Sequence, residues 1–488
     1  MPSTSITRQT QSIDRTLVPS STALAVASGL IAYRLVLGLL DQTELSTDEA
    51  QYWFWGQTLD FGEYSKPPLI GWIIRVSTDL LGQSVAAVRL PALLIHAATA
   101  AVIFACTKRL ASQPVAWLAA ILYLVSPAVV LGSALMTTDT PLLLAAAVAM
   151  LAQLRAGEAR SAGRSAPGAS LLLGLALGFG ILAKHAMLFW LGGAALAALM
   201  SPIFRPGRPE LLIASAVMLA VVTPHIVWLV QHGFITVSHI QDITKGSGAS
   251  VLRPLQFLSE QFLVAGPITF AAIWLASRDL PGASGLIALA SVPLAIVLAQ
   301  AVSGPVLANW AVLYLVPGVI LAAHWLVRHP RLGLTSVLIG MVVALAFPAL
   351  KVFGTDVLRA DGRPILSRYL GHSDVAHWAL TKASMLDAAA IVARDRDLLA
   401  DLSWFSAGTG LQIRAFPPQG LPAHHWEMTA PFDPARDPDA LILLRSTVPK
   451  PCPTAQEVAR HRAAPGFAGG ETLVLYRLSD PTCLSPQP

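Results

Sequence analysis

Charge is scarce in this chain. Only 12% of its 488 residues are Asp, Glu, Lys or Arg, about half of the roughly 25% found in ordinary globular domains. Hydrophobic residues make up 54%. A deficit of this size, spread over long apolar runs, excludes an ordinary soluble enzyme and indicates a polytopic membrane protein. The net charge of +5 then carries little information, and no nucleic-acid partner is expected. Cysteine is also rare: Cys106 lies in an apolar segment, and Cys452 and Cys483 lie near the C-terminus. Their spacing excludes a cysteine metal site. Cys452 and Cys483 form one disulfide if their region is extracytoplasmic, and otherwise remain two thiols. There is no internal repeat, and no low-complexity segment beyond a bias to Ala and Leu. The first 17 residues lack an apolar stretch followed by a cleavage site. They read as a disordered cytoplasmic tail ahead of a retained helix, not as a cleaved signal.

What is abundant is apolar sequence in runs of about 20 residues, the length that spans a bilayer. Candidate spans fall at roughly 18–40, 86–106, 113–132, 140–154, 169–183, 186–201, 210–230, 258–276, 284–302, 311–327 and 332–350. That is about eleven, with room for two re-entrant segments among them. Lys and Arg in the short loops set the orientation. With the N-terminus inside, cytoplasmic segments hold twelve: Arg8, Arg15, Lys108, Arg109, Arg155, Arg160, Arg164, Arg205, Arg208, Arg278, Arg328 and Arg331. Outer segments hold five: Lys66, Arg75, Lys184, Lys245 and Arg253. An odd number of spans then places everything after residue 350 outside.

Residues 351–488 are richer in charge, proline and glycine. "ALILLRS" (440–446) and "ETLVLYRLS" (471–479) read as strands, and "SMLDAAAIVARDRDLLADLSWF" (384–405) as one or two helices. The expected architecture is therefore a polytopic α-helical membrane domain, residues 18–350, with outer loops 41–85, 132–139 and 231–257. A small extracytoplasmic α/β domain, 351–488, follows it and ends in a frayed tail.

Three polar clusters share the outer face. The first is "ELSTDEAQYWFWGQTLDFGEYSKPPLIGW" (44–72). Asp48 and Glu49 head a short helix with Ser46 or Thr47 as its N-cap. Acids in a first turn and Trp or Tyr at an interface also describe a plain capped interfacial helix. The second is "GSALMTTDTPLLL" (132–144), where Asp139 precedes Thr140-Pro141 at the mouth of a span. An N-cap explains that acid equally well. The third is the loop after residue 230, which holds His232, His239, Asp242, Lys245, Arg253 and Glu260. Together they bring carboxylates, Lys66 and Arg253 to one membrane face. Transfer from a lipid-linked phosphosugar needs such groups: a carboxylate to take a proton from an acceptor hydroxyl, and cations to stabilise the leaving phosphate. Arg suits that phosphate as a bidentate fork and Lys as a point charge.

The residues "DEAQYWFWGQ…YSKPPLIGW" resemble the first outer loop of the bacterial protein-mannosyltransferase and aminoarabinose-transferase superfamily, whose members are glycosyltransferases of the GT-C fold. "AAVRLPALL" (86–94), "MTTDTPLLL" (136–144) and "LGFGILAKHAMLF" (177–189) are similar to it in the expected order, and "ANWAVLYLVP" (308–317) resembles the Asn-Trp motif of its family 39 branch. The resemblance covers about residues 30–320. It implies a polyprenyl-phosphate sugar donor, inverting transfer and a soluble periplasmic C-terminal domain. It puts the general base at Asp48 with Glu49 in support, the donor-phosphate contact at Lys66, and the metal or acceptor side at Asp139.

The remaining site candidates each carry two readings. Lys184 is a cavity-lining phosphate donor, or with His185 a snorkelling pair at a helix end. Arg253 is a phosphate ligand by its loop position alone. Tyr64 contacts the donor or is an ordinary interfacial tyrosine. Arg89, like Arg34, is a costly charge within a span and faces a cavity or an ion-pair partner. Asn309 and Trp310 line the acceptor side, or Trp310 is an interfacial tryptophan. His225 reads as structural. A divalent metal, if there is one, would use Asp48, Asp139 and His239. The expected activity is transfer of a sugar to an acceptor at the periplasmic face of the inner membrane, with lipid A or lipopolysaccharide core as acceptor. The "STDEAQYWFWGQ" version of the loop resembles transferases of amino or uronic sugars, galacturonic acid among them. Protein O-mannosyl transfer, or transfer to another envelope glycan, fits the same motifs. A sugar-lipid transporter or flippase would also span many times, but such proteins place polar groups near the bilayer midplane, often with repeat symmetry.

Overall fold

The computed structural model describes residues 19–246, 248–276, 279–478 and 481–484. The tail 1–17, with Arg8 and Arg15, and Arg278 lie outside them. The chain divides into two compact units. The first holds the chain through Leu39, Lys66–Ile70 and Arg89–Pro348; the second holds Leu40–Ser65, Gly71–Val88 and the chain from Ala349. Most of loop 41–85, expected to belong with the spans, therefore groups with the C-terminal residues.

Every apolar run predicted as a span is helical. Among the described residues, seven helices are long and apolar enough to cross a bilayer: Ser20–Leu39, Val85–Leu110, Asp139–Ser161, Arg208–Gln231, Ala283–Ser303, Ala308–Leu326 and Pro330–Phe353. The segment 140–154, one of the two shortest expected spans, is part of a full 23-residue helix. Two further runs are broken, Gln113–Val125 with Pro127–Ala134 by 60° and Leu252–Ala265 with Pro267–Leu275 by 106°. Two more, Pro167–Ala183 and Met187–Met200, are shorter.

Both breaks fall before a proline, which cannot donate to the preceding turn. Buried polar groups gather at the first break. Arg34 donates to the Leu124 carbonyl at 2.7 Å and to Ser133 Oγ at 3.3 Å, so this intramembrane charge faces the protein interior, as intramembrane charges generally do. Glycine lets the helices Pro167–Ala183 and Arg208–Gln231 approach closely. A Cβ on Gly174 would meet the Ala214 carbonyl oxygen at 2.5 Å, and one on Gly178 would meet Val221 Cβ at 2.7 Å. Four-residue spacing of small residues allows such approach in a membrane.

The second unit is built on a five-stranded sheet of order β2-β1-β3-β5-β4. Its strands are β1 (Ala390–Ala393), β2 (Gln412–Ala415), β3 (Ala440–Arg445), β4 (Gln456–Arg462) and β5 (Thr472–Arg477). β1 runs parallel to both β2 and β3, and β5 is antiparallel to β3 and β4. The stretch expected as helix over 384–405 instead contains β1, a fully buried interior strand that lies in sequence between the helices His372–Met385 and Arg396–Phe405. A four-residue apolar run is ambiguous between helix and strand until its neighbours are known. Cys452 and Cys483 are joined, with Cα atoms 6.2 Å apart.

The segment 40–65 is stitched into this unit mainly through its acids. Asp41 pairs with buried Lys351 at 2.6 Å. Glu44 accepts from the His372 and Ser373 amides at 2.6 and 3.1 Å, a carboxylate at a helix N-terminus. Glu63 lies 3.3 Å from His425 with both side chains buried. Burial, then Asp60, holds Glu63 well above the usual carboxylate range. Burial, then His424, takes His425 down to about 3. Burial thus disfavours charge on both partners of this contact.

His372 Nδ1 meets both Asp401 oxygens at 2.9 Å. Burial alone would lower this imidazole, but the Asp401 hydrogen bond and charge outweigh it and raise its pKa. Burial raises Asp401 to about 6. Both groups hold protons more tightly folded than unfolded. His372 therefore adds stability that is complete below about pH 6.5, its unfolded value, and is lost as pH climbs through the raised folded value. Asp401 acts in the same direction between about pH 3.9 and 6. The unfolding midpoint of the purified protein, followed by tryptophan fluorescence, is expected to fall by several degrees from pH 6 to pH 9. His372→Gln should flatten that dependence; an unchanged slope in this variant would remove His372 as its source.

Candidate active site

The helix Thr47–Trp55 explains why Asp48 and Glu49 have different roles. Ser46 is its N-cap, and the Glu49 carboxylate returns to the Ser46 amide and hydroxyl, both at 3.1 Å, closing a capping box. Glu49 is 1% exposed. Its carboxylate closes the cap of the helix that carries Asp48. The aromatic run is buried inside the second unit and is not an interfacial belt. Trp53 meets Trp404 edge-on at 5.0 Å, and Phe54 stacks on Trp426 at 4.9 Å. A Cβ on Gly56, just past the helix, would lie 2.6 Å from the Gly71 carbonyl oxygen, so the chain closes tightly there.

With that face buried, Asp48 points outward, its side chain 42% exposed. Arg396 donates to Asp48 Oδ1 at 2.9 Å and to Gln51 Oε1 at 3.0 Å. Arg368 approaches Asp48 Oδ2 at 3.8 Å. A cavity of about 450 Å³ opens here, lined by Thr47, Asp48, Arg368, Arg396, Asp397 and Phe467. Neither arginine was singled out in the sequence, because the C-terminal segment carries no recognisable motif. The one available signal, "ARDRD" (393–397), marks only a charged helix start. There Arg445 binds Asp395, Asp397 and Glu471, which fixes the acids on either side of Arg396.

The first unit holds a second polar centre. Asp139 opens the helix Asp139–Ser161, yet its carboxylate does not cap it. Lys184 donates to Oδ1 at 2.6 Å and Asn309 to Oδ2 at 2.6 Å. The Lys184 and Asp139 side chains are 16% and 13% exposed. Lys184 is thus an ion-pair partner and not a snorkelling helix end. His185 Nε2 lies 3.0 Å from Nε2 of buried His225, and half-buried Lys66 is within electrostatic reach of His185. Beside Asp139, Thr140 meets His96 Nε2 at 3.3 Å, and His96 Nδ1 meets the Tyr123 hydroxyl at 2.9 Å. This buried chain gave no sequence signal, because an isolated His or Thr in an apolar run is ambiguous.

The other candidates separate. Arg253 donates to the Gly248 carbonyl of its own loop, and it has no contact among those of the Asp139 centre. Trp310 packs against the apolar core. Tyr64 and Arg89 are buried, at 9% and 5% exposure. The divalent metal expected on Asp48, Asp139 and His239 does not fit. Both Asp139 oxygens are engaged, one by an ammonium group, and no group of three or more His, Cys, Asp or Glu able to hold an ion exists among the described residues.

Comparison with known proteins bears on this arrangement. A family described as dolichyl-phosphate-mannose-protein mannosyltransferase matches residues 65–228. The lipid A galacturonosyltransferase RgtD of Rhizobium johnstonii is 34% identical over 474 residues, 95% of this chain and 99% of that protein. In fold, the chain is similar to ArnT from Cupriavidus metallidurans in its apo state, with TM-score 0.66 and 15% identity, covering 96% of this chain and 100% of that one. It is also similar to the same protein bound to undecaprenyl phosphate, with TM-score 0.62 and 17% identity over the same shares. A bundle of apolar helices, a C-terminal sheet unit and near full-length similarity to a galacturonosyltransferase lead to one family. The chain belongs to the GT-C membrane glycosyltransferases of the protein-mannosyltransferase and aminoarabinose-transferase superfamily.

Proposed function

We propose that this protein transfers galacturonic acid, with inversion, from a polyprenyl-phosphate donor to lipid A. The observation that carries this reading is the alignment through 99% of a lipid A galacturonosyltransferase. The dolichyl-phosphate sugar in the description of the matching family supports the donor class. An acceptor hydroxyl oxygen attacks the anomeric carbon while Asp48 accepts the hydroxyl proton. The anomeric carbon–oxygen bond breaks, and its electron pair leaves on polyprenyl phosphate. Lys66 offsets the charge that develops on that phosphate. Lys184 holds Asp139 for the acceptor side, with Asn309 on its second oxygen.

We place the enzyme in the inner membrane, with residues 1–17 cytoplasmic, the apolar helices between residues 18 and 350 crossing the membrane, and 351–488 periplasmic. The Lys and Arg bias of the loops supports this orientation. So does the Cys452–Cys483 bond, since disulfides persist in oxidising compartments.

Mass spectrometry of lipid A and core oligosaccharide from a deletion strain tests the reading. A hexuronic acid increment should vanish on deletion and return with the wild-type gene. An unchanged profile would reject lipid A and core as acceptors. Asp48→Asn keeps the size of the side chain and removes the base, so the inserted protein should lose at least about 100-fold in kcat. An active variant would end the catalytic assignment of Asp48. Lys66→Ala should raise donor KM and lower kcat together, measured with purified enzyme; unchanged values for both would exclude the phosphate role.

A further inference from the structure

The cavity beside Asp48 has more cationic donors than its own acids use. Of its two carboxylates, Asp397 is held by Arg445, whose guanidinium also spans Asp395 and Glu471. Asp48 alone remains against two guanidinium groups. Arg396 is 44% exposed and spends one nitrogen on Asp48 and Gln51. Arg368 is 70% exposed and touches Asp48 only at 3.8 Å. Each guanidinium offers five donors in a planar fork suited to a carboxylate. A cavity of about 450 Å³ is the size of a small-molecule site. The exposed guanidinium of Arg368 and the unspent nitrogens of Arg396 leave donors open next to the base.

We infer that Arg368 and Arg396 form a carboxylate-reading subsite that selects a uronic acid over a neutral hexose in the donor. The inference rests on the galacturonosyl reading above and names residues that set its sugar specificity. The sugar carboxylate takes the open face of Arg368 and the unspent nitrogens of Arg396. The contacts of Arg445 with the acids flanking Arg396 keep the start of that helix in place. Arg368 and Arg396 are then specificity residues, distinct in role from the base. A neutral hydroxymethyl group in the same place would leave the arginine donors without a charged acceptor.

Arg368 is the better test, because it is exposed and its loss disturbs Asp48 least. Purified full-length enzyme would be assayed with lipid A and two synthetic donors, polyprenyl-phosphate galacturonic acid and polyprenyl-phosphate galactose. The wild type should favour the uronate. Arg368→Gln should lose about 10–100-fold in kcat/KM with the uronate, the worth of a charge-assisted hydrogen bond. The loss should lie in donor KM and be much larger with the uronate than with galactose, and Arg368→Lys should recover part of it. Equal losses with both donors, a change in acceptor KM instead, or no change would overturn the inference. So would a wild type that uses both donors equally well. A wild type that turns over neither donor would reject the sugar assignment of the proposed function, and the inference with it.

Discussion

The burial of one aromatic helix face governs the second unit. Tyr52, Trp53 and Trp55 are 8%, 6% and 0% exposed, and each contributes roughly 1.5–3 kcal/mol from area removed from water. Nine residues cannot hold a helix by propensity alone. The capping box and this packing supply what propensity lacks. Once that face is fixed, the remaining side of the helix has one direction, and Asp48 is on it. The position of the carboxylate therefore follows from the hydrophobic contacts behind it.

In the first unit the governing constraint is the cost of an unmatched charge or polar group away from water. Arg34 donates to a carbonyl near a proline break, and Asp139 accepts from an ammonium and an amide. These partners come from different helices, so each match also fixes how the helices meet. A pair of this kind is weak evidence for stability, because desolvation opposes the attraction. Its effect is on arrangement: the carboxylate of Asp139 has one orientation, set by donors on two sides.

The helical framework was legible because length and hydropathy decide it. Every predicted span lies on a helix or a bent pair, and both bends fall where a Pro follows Ser126 or Gly266. The two predicted strands, at 440–446 and 471–479, were also legible as short apolar runs. β1 was not, since four buried residues have no period of their own. At the site, local chemistry was readable and long-range partnership was not. Ser46 as a cap and Asp48 as an outward acid follow from a few neighbouring residues. Glu49 completes the cap with Ser46 three residues away, whereas the contacts by which Asp41, Glu44 and Glu63 fasten the loop depend on partners more than 300 positions away. Asp139 was found, but its engagement with Lys184 and Asn309 was not, and that engagement removes the metal role expected of it. The arginines of the Asp48 cavity lie in a segment without motif, and only folding brings them there.

The Asp48–Arg396 contact joins residues 348 positions apart, which has a consequence for biosynthesis. At translation rates of about 5–20 residues per second, the first loop emerges roughly 20–70 s before Arg396 exists. For that interval its aromatic residues have neither Trp404 nor Trp426 to pack against. The bilayer surface, which Trp and Tyr favour, is a natural resting place for them. The interfacial character legible in this stretch would then describe its nascent state, and the buried helix its finished one. Maturation of the second unit is in this view a late event, completed only after the last span has been inserted.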